Sequence, residues 1–136
     1  MAYISSFTYC EAIQVEMTQQ GPQQQIINPL QILAPASIPG NYSFSIVCSI
    51  ADFNVLEEHV TNLTFLSPSG DILYSTGDVH FQIPEDSNNG QPLTGVQFNV
   101  DIRNLLFKEP GIFSTKVIFD EQLLGEYKIK VTVGEY

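Results

Sequence analysis

Glu109-Pro110-Gly111-Ile112-Phe113-Ser114-Thr115-Lys116-Val117-Ile118-Phe119-Asp120-Glu121-Gln122-Leu123-Leu124-Gly125-Glu126-Tyr127-Lys128-Ile129-Lys130-Val131-Thr132-Val133 reads as two β-strands joined by a polar reversal. Pro110-Gly111 is a turn pair, because proline presets φ and glycine accepts a positive one. Ile112 to Phe119 is rich in β-formers and lacks a helical period. Asp120-Glu121-Gln122 reverses the chain, and Leu124-Gly125 leads into the second strand. There Tyr127, Ile129, Val131 and Val133 alternate with Glu126, Lys128, Lys130 and Thr132, which predicts one buried and one solvated face. The pattern is a β-hairpin on a core.

The same period recurs upstream. Ile4 to Met17 predicts one or two strands, bent near Cys10-Glu11-Ala12, and Thr18 to Gln25 an exposed hairpin loop centred on Gly21-Pro22. Ile26 to Leu33 reads as a short edge strand that tolerates Pro29. Asn41 to Asp52 is a strong strand with central character, since both its faces turn apolar or small. Phe53 to His59 is too short to assign as helical turn or loop. Val60 to Leu66, a tight turn at Ser67-Pro68-Ser69-Gly70-Asp71, and Ile72 to Ser75 form a hairpin. Val79, Phe81 and Ile83 share one strand face, Pro84 to Pro92 is the most polar loop, and Val96, Phe98, Val100 and Ile102 mark another strand. Leu105-Leu106-Phe107 bridges to the closing hairpin. No long amphipathic helix is written anywhere, so the expected fold is an all-β antiparallel sandwich of about seven to nine strands. At 136 residues it forms one domain over 1–136, able to bury roughly 65–70% of its unfolded surface.

Charge is the unusual feature. The chain has 5 Lys+Arg against 15 Asp+Glu, a formal net charge of -10. Every base (Arg103, Lys108, Lys116, Lys128, Lys130) follows position 102. Such an acidic field disfavours nucleic acid and anionic membranes, which need cations to displace counterions. Met1 to Ser6 lacks the charged start of a secretion signal, so a cytoplasmic setting is expected. Cys10 and Cys48 sit in strand contexts and are read as reduced, buried thiols. The sequons at Asn41 and Asn62 matter only in a eukaryotic secreted protein.

Catalytic constellations are not apparent. Glu57-Glu58-His59 is the most reactive-looking cluster, but sequence neighbours on a strand or loop do not converge on one atom, and it reads as a solvated loop. His80 points to a polar strand face. Cys10, Cys48, His59 and His80 lack zinc spacing. Asp52, Asp71, Asp78, Glu85 and Asp86 gather at strand ends without the DxDxDG pattern of a calcium loop. No cofactor is therefore expected, and the protein reads as not an enzyme. Tyr3, Tyr9, Tyr42, Tyr74, Tyr127 and Tyr136 are candidate interface side chains.

Ile38-Pro39-Gly40, Ser67 to Asp71, Leu105 to Gly111 and Asp120 to Gly125, in this layout, resemble the small immunoglobulin-like β-sandwich proteins of unknown function from bacteria and phages. The likeness spans roughly residues 3–133 and lies in turn chemistry; the Cys–Trp–Cys core of antibody domains is absent. It implies an immunoglobulin-like fold and brings no catalytic residues. The expected function is non-catalytic protein binding through a sheet face or end loops, in the cytoplasm of a bacterium or a phage-infected host. Asp52, Phe53, Glu57, Glu58, His59, Glu85 and Asp86 are the candidate partner-binding residues. Two alternatives are a homo-oligomerising structural or virion-associated protein, and a phage-encoded inhibitor that sequesters a host defence component.

Overall fold

A computed structural model describes residues 2–54, 56–82 and 95–134. They form ten strands: β1 (Tyr3–Thr18), β2 (Gly21–Pro29), β3 (Ile32–Leu33), β4 (Gly40–Ala51), β5 (His59–Leu66), β6 (Ile72–Ser75), β7 (Val79–Phe81), β8 (Gly95–Phe107), β9 (Gly111–Phe119) and β10 (Gln122–Val131). One sheet has the order β2-β1-β4-β8. The other runs β3-β10-β9-β5-β6, with β7 also on β5. The fold is an all-β, immunoglobulin-like sandwich.

The closing hairpin is present, with a shorter turn than expected. Phe119 pairs with Gln122, so only Asp120 and Glu121 turn the corner, both at positive φ (48° and 67°). That is the type I′ geometry whose twist matches the flanking strands. β10 accordingly starts before the anticipated Leu124-Gly125 entry and absorbs that pair in a bulge after Leu123. Its inward set ends at Val131, and Val133 lies beyond the strand, exposed. Gly111 enters β9 at φ 139°, and a Cβ there would meet Pro68 Cγ at 2.9 Å. Glycine is required on both counts.

β4 is central in its sheet, as its pattern predicts. Phe44, Ile46, Cys48 and Ile50 face β5, β9 and β10, which contribute Leu63, Phe65, Phe113, Val117 and Ile129 to the same cluster. Aromatic rings fill the middle: Phe44 lies 5.4 Å from Phe65, and Phe65 stacks on Phe113 at 5.7 Å. β8 runs on through Leu105-Leu106-Phe107 where a bridge was expected. Asn104 takes φ 54° and the pairing with β4 shifts between Tyr42 and Phe44, so the strand continues past a kink. The count exceeds nine because β3 is a two-residue strip paired in parallel with β10, and because β6 and β7 share one edge of β5 end to end.

A buried polar tie joins the sheets. Tyr9 Oη is 2.6 Å from Thr115 Oγ1 and 3.1 Å from the Tyr127 carbonyl. A carbonyl only accepts, so the phenol donates to it and accepts a hydrogen bond from the Thr115 hydroxyl. Burial pushes the Tyr9 phenol up to about 12, with the Thr115 bond pulling the other way, so it stays neutral. Tyr9→Phe removes both bonds and leaves the buried Thr115 hydroxyl without its partner. It is expected to cost about 1–3 kcal/mol in urea unfolding, part of which Thr115→Val added to it restores.

Candidate functional site

The first element that stands clear of the sandwich is built by β1 and β2. β4 pairs with β1 only from Tyr3 to Cys10, and β2 pairs with it from Cys10 to Thr18. Past Cys10 the two strands therefore form a ribbon with no third strand beside it. Asn28 takes φ 54° where the ribbon leaves the sheet, and its amide donates to Glu11 at 3.0 Å. This is close to the bend anticipated at Cys10-Glu11-Ala12. The expected loop from Thr18 to Gln25 is instead strand from Gly21 onward. Gln19-Gln20 alone make the turn, with the Thr18 hydroxyl donating to the Gly21 carbonyl at 2.7 Å.

The arm leans across its own sheet. Gln97 of β8 donates to Gln24 of β2, although β1 and β4 separate them in the sheet order. Three strand spacings are about 14 Å in the sheet plane, so this contact requires the ribbon to bend over the face. Cys10, Ser45 and Val47, on that outer face, are buried. Ser45 Oγ donates to Asp101 Oδ1 at 2.5 Å. Burial first, then the Asp101 charge, raises the Cys10 thiol; burial pushes Cys48 up to about 12. Both cysteines are free and buried. The apolar side chains toward the tip of the ribbon stay exposed: Val15 is 66% and Met17 74% exposed, with Ile26 paired to Ile13 on the same face, where, among the described residues, Gln24 alone reaches back to β8.

The second feature is at the Asp120 turn. Asp120 Oδ1 accepts the Val60 N–H at 2.9 Å, and Oδ2 lies 2.6 Å from His59 Nδ1. His59 Nε2 lies 2.6 Å from the Asn54 carbonyl. Both oxygens are acceptors, so both ring nitrogens donate and the ring is an imidazolium. Burial pulls the His59 imidazole down, but the Asp120 and Asn54 acceptors outweigh it and hold it above its ordinary 6.5. For Asp120, burial pushes up, while the Val60 and His59 donors hold the carboxyl below its ordinary 3.8. The cation sits among rings, 4.9 Å from Phe53, 5.8 Å from Phe81 and 5.0 Å from Phe119. Aromatic faces favour a desolvated cation.

These contacts divide the candidate cluster. His59 is only 7% exposed, so the solvated-loop reading fails for it: the aromatic rings and Asp120 draw it inward. Phe53 is half-buried with it, whereas Asp52, Glu57 and Glu58 are exposed. Glu58 pairs with His80, exposed on β7, at 3.3 Å. Glu85 and Asp86, with the rest of the Pro84 to Pro92 loop and Tyr136, lie outside the described residues. Of the tyrosines, Tyr9 is buried, Tyr42, Tyr74 and Tyr127 are half-buried, and Tyr3 is exposed. Tyr127 stacks on Phe7 at 4.0 Å. Among the described residues no group of three or more His, Cys, Asp or Glu is arranged to hold a metal.

A cavity of about 490 Å³ opens beside the Asp120 turn, lined by Val60, Asn62, Asp78, His80, Ile118 and Glu121 with Asp120. Neither it nor the arm was singled out from the sequence. The arm had a signal, in Ile13-x-Val15-x-Met17 facing Ile26, but a Gly-Pro pair argued for a loop. The cavity had none, because its residues come from three separate segments.

The family model DUF6941, a family of unknown function, matches residues 5–132. No curated protein matches the chain. Among solved structures, the chain is similar to an immunoglobulin-like protein from Pseudomonas aeruginosa at 13% identity, covering 97% of each chain with a TM-score of 0.44. It is also similar to an alkylpurine DNA glycosylase from Pseudomonas fluorescens (8% identity, 97% of this chain and 30% of that one, TM-score 0.46). A β-glucosidase from Listeria innocua matches at 10% identity over 98% of this chain and 16% of that one, with a TM-score of 0.48. The enzymes' activities belong to chains of which this one spans 30% and 16%.

Proposed function

The chain belongs to DUF6941, a family of unknown function, and we propose that it is a non-catalytic protein-binding module that holds its partner with the β1–β2 arm. The observation that carries this is the exposed apolar set toward the tip of one ribbon face, where Val15, Met17 and Ile26 point to solvent. Fully burying side chains of this kind contributes about 1.5–3 kcal/mol each, enough for three of them to anchor a complex. Glu11 lies on that face, Glu16 on the reverse of the ribbon, and the arm has no base, so the matching surface is an apolar groove with a basic rim.

The groups with chemical reach support a non-catalytic reading. His59 spends both nitrogens on Asp120 and Asn54. Both thiols are buried and held protonated. The acidic charge of residues 1–102 favours a basic protein surface over nucleic acid or an anionic membrane, in the cytoplasmic setting expected from the sequence.

The test is parallel affinity capture from bacterial lysate with wild type, Val15→Glu/Met17→Glu and Lys128→Glu/Lys130→Glu. A partner retained by the wild type and the lysine variant but lost with the arm variant, at unchanged melting temperature, is the expected result. Equal recovery by all three, or nothing retained by the wild type, overturns the reading.

A further inference from the structure

The outer face of the β3-β10-β9-β5-β6 sheet is more apolar than a solvated sheet face needs to be. On β9 the inward residues are Phe113, Thr115 and Val117, which turns Ile112, Lys116 and Ile118 outward. Register adds Leu123 opposite Ile118, Ile72 opposite Leu66, and Ile32 beside Lys130. Ile72 is 67%, Leu123 53% and Ile112 52% exposed.

The charges on this face are unevenly placed along the strands. One end holds Asp78, Asp120 and Glu121 around the 490 Å³ cavity. The other holds Lys128 and Lys130 on the sheet face, two of the five bases in the chain, with Asp71, Lys108 and Glu109 at the rim of the sandwich behind them. Six residues of β9 separate Asp120 from the level of Lys128, on the order of 20 Å. Midway, Lys116 and Glu126 are direct cross-strand partners. Among the described residues, no carboxylate lies within ion-pair distance of Lys128 or Lys130.

We infer that this face is where two copies of the chain meet, about a twofold axis near Lys116 and Glu126, with the acidic end of each copy over Lys128 and Lys130 of the other. A twofold axis returns the same patch turned end for end, so a face with opposite charges at its ends complements itself in that arrangement. A foreign partner of either sign would match one end and repel the other. The net charge of -10 opposes association only weakly, because screening over about 8 Å leaves the local pairs to decide. Five strands at about 4.8 Å by eight residues at about 3.4 Å give a footprint on the order of 650 Å², close to the roughly 800 Å² per partner of a stable interface.

The experiment is light scattering and sedimentation of the full chain, from low micromolar to about 200 µM. It compares the wild type with two charge swaps: Lys128→Glu/Lys130→Glu makes both ends acidic, and Asp78→Lys/Glu121→Lys makes both basic. Asp120 is left intact because it holds His59. A wild-type dimer is expected, weakened about tenfold or more in each swap. Mixing the two swaps restores a dimer containing one of each. A wild-type monomer throughout, a dimer that neither swap weakens, or swaps that fail to recover on mixing overturns the inference. Val15→Glu/Met17→Glu keeps the dimer if the two surfaces are separate. Loss of the dimer in that variant moves the contact to the arm and also overturns it.

Discussion

Phe44→Ala is expected to lower the free energy of unfolding by about 3–5 kcal/mol, a fall in Tm on the order of 15 °C. The ring is fully buried in the central strand of its sheet and lies 5.4 Å from Phe65, 6.2 Å from Tyr9 and 6.5 Å from Phe107. Those neighbours come from the other sheet and from the strands on both sides of β4. They are held by their own backbone ladders and collapse little into the space left behind, so the cavity persists. Asn41→Ala, at an exposed position of the same strand, is expected to stay within about 0.5 kcal/mol. Urea unfolding of both variants checks the contrast; equal small losses would mean that Phe44 is not the centre of the core.

Asp120→Ala carries the second large effect, about 3 kcal/mol, by three routes. It leaves the His59 imidazolium without its carboxylate and the Val60 N–H without an acceptor, and it puts alanine at φ 48°. Asp120→Gly removes only the last cost and is expected to recover about 1 kcal/mol of the loss.

The pair also sets a pH window. The raised His59 value gives stability that is fully present below 6.5 and is lost as pH rises through the folded-state value. The lowered Asp120 value gives stability that is present above 3.8 and is lost as pH falls through the folded-state value. The gap in Tm between wild type and Asp120→Ala is therefore expected to be widest between these limits and to narrow on either side. A gap independent of pH would show that His59 is neutral in the fold and that the loss is backbone strain alone.

Much of the sandwich was legible because strand burial has a period of two. Tyr127, Ile129 and Val131, and the alternation of β4, needed no tertiary information: a residue every second position on one face has only one side to hide. Turn chemistry was equally local at Gly111, where positive φ admits glycine. Legibility failed where a local signal met a longer-range one. Gly21-Pro22 argued for a loop, yet β2 begins there, because an edge strand loses nothing when a proline lacks the donor on its open side. Leu105 to Phe107 looked like a bridge and is strand, because β4 continues to offer pairing past the kink at Asn104.

The candidate site shows the same division. Glu57, Glu58 and His59 are neighbours in the chain, and their types alone suggested one solvated cluster. The fold sends them different ways, since β5 begins at His59 and turns that ring toward Phe53, Phe81 and Phe119. Its carboxylate, Asp120, is 61 residues away and is reached only because β9 pairs with β5 and ends beside it.

By itself, the sequence determined the all-β class, the buried faces of the main strands and the scarcity of positive charge, since each follows from residues within a few positions of one another or from composition. Tertiary structure alone decided that β1 outruns β4 to form an arm, that His59 is a caged cation, and that Lys128 and Lys130 stand at the opposite end of a sheet face from Asp78 and Glu121. Those depend on which strands end beside which, a matter of long-range pairing free energy that no local pattern encodes.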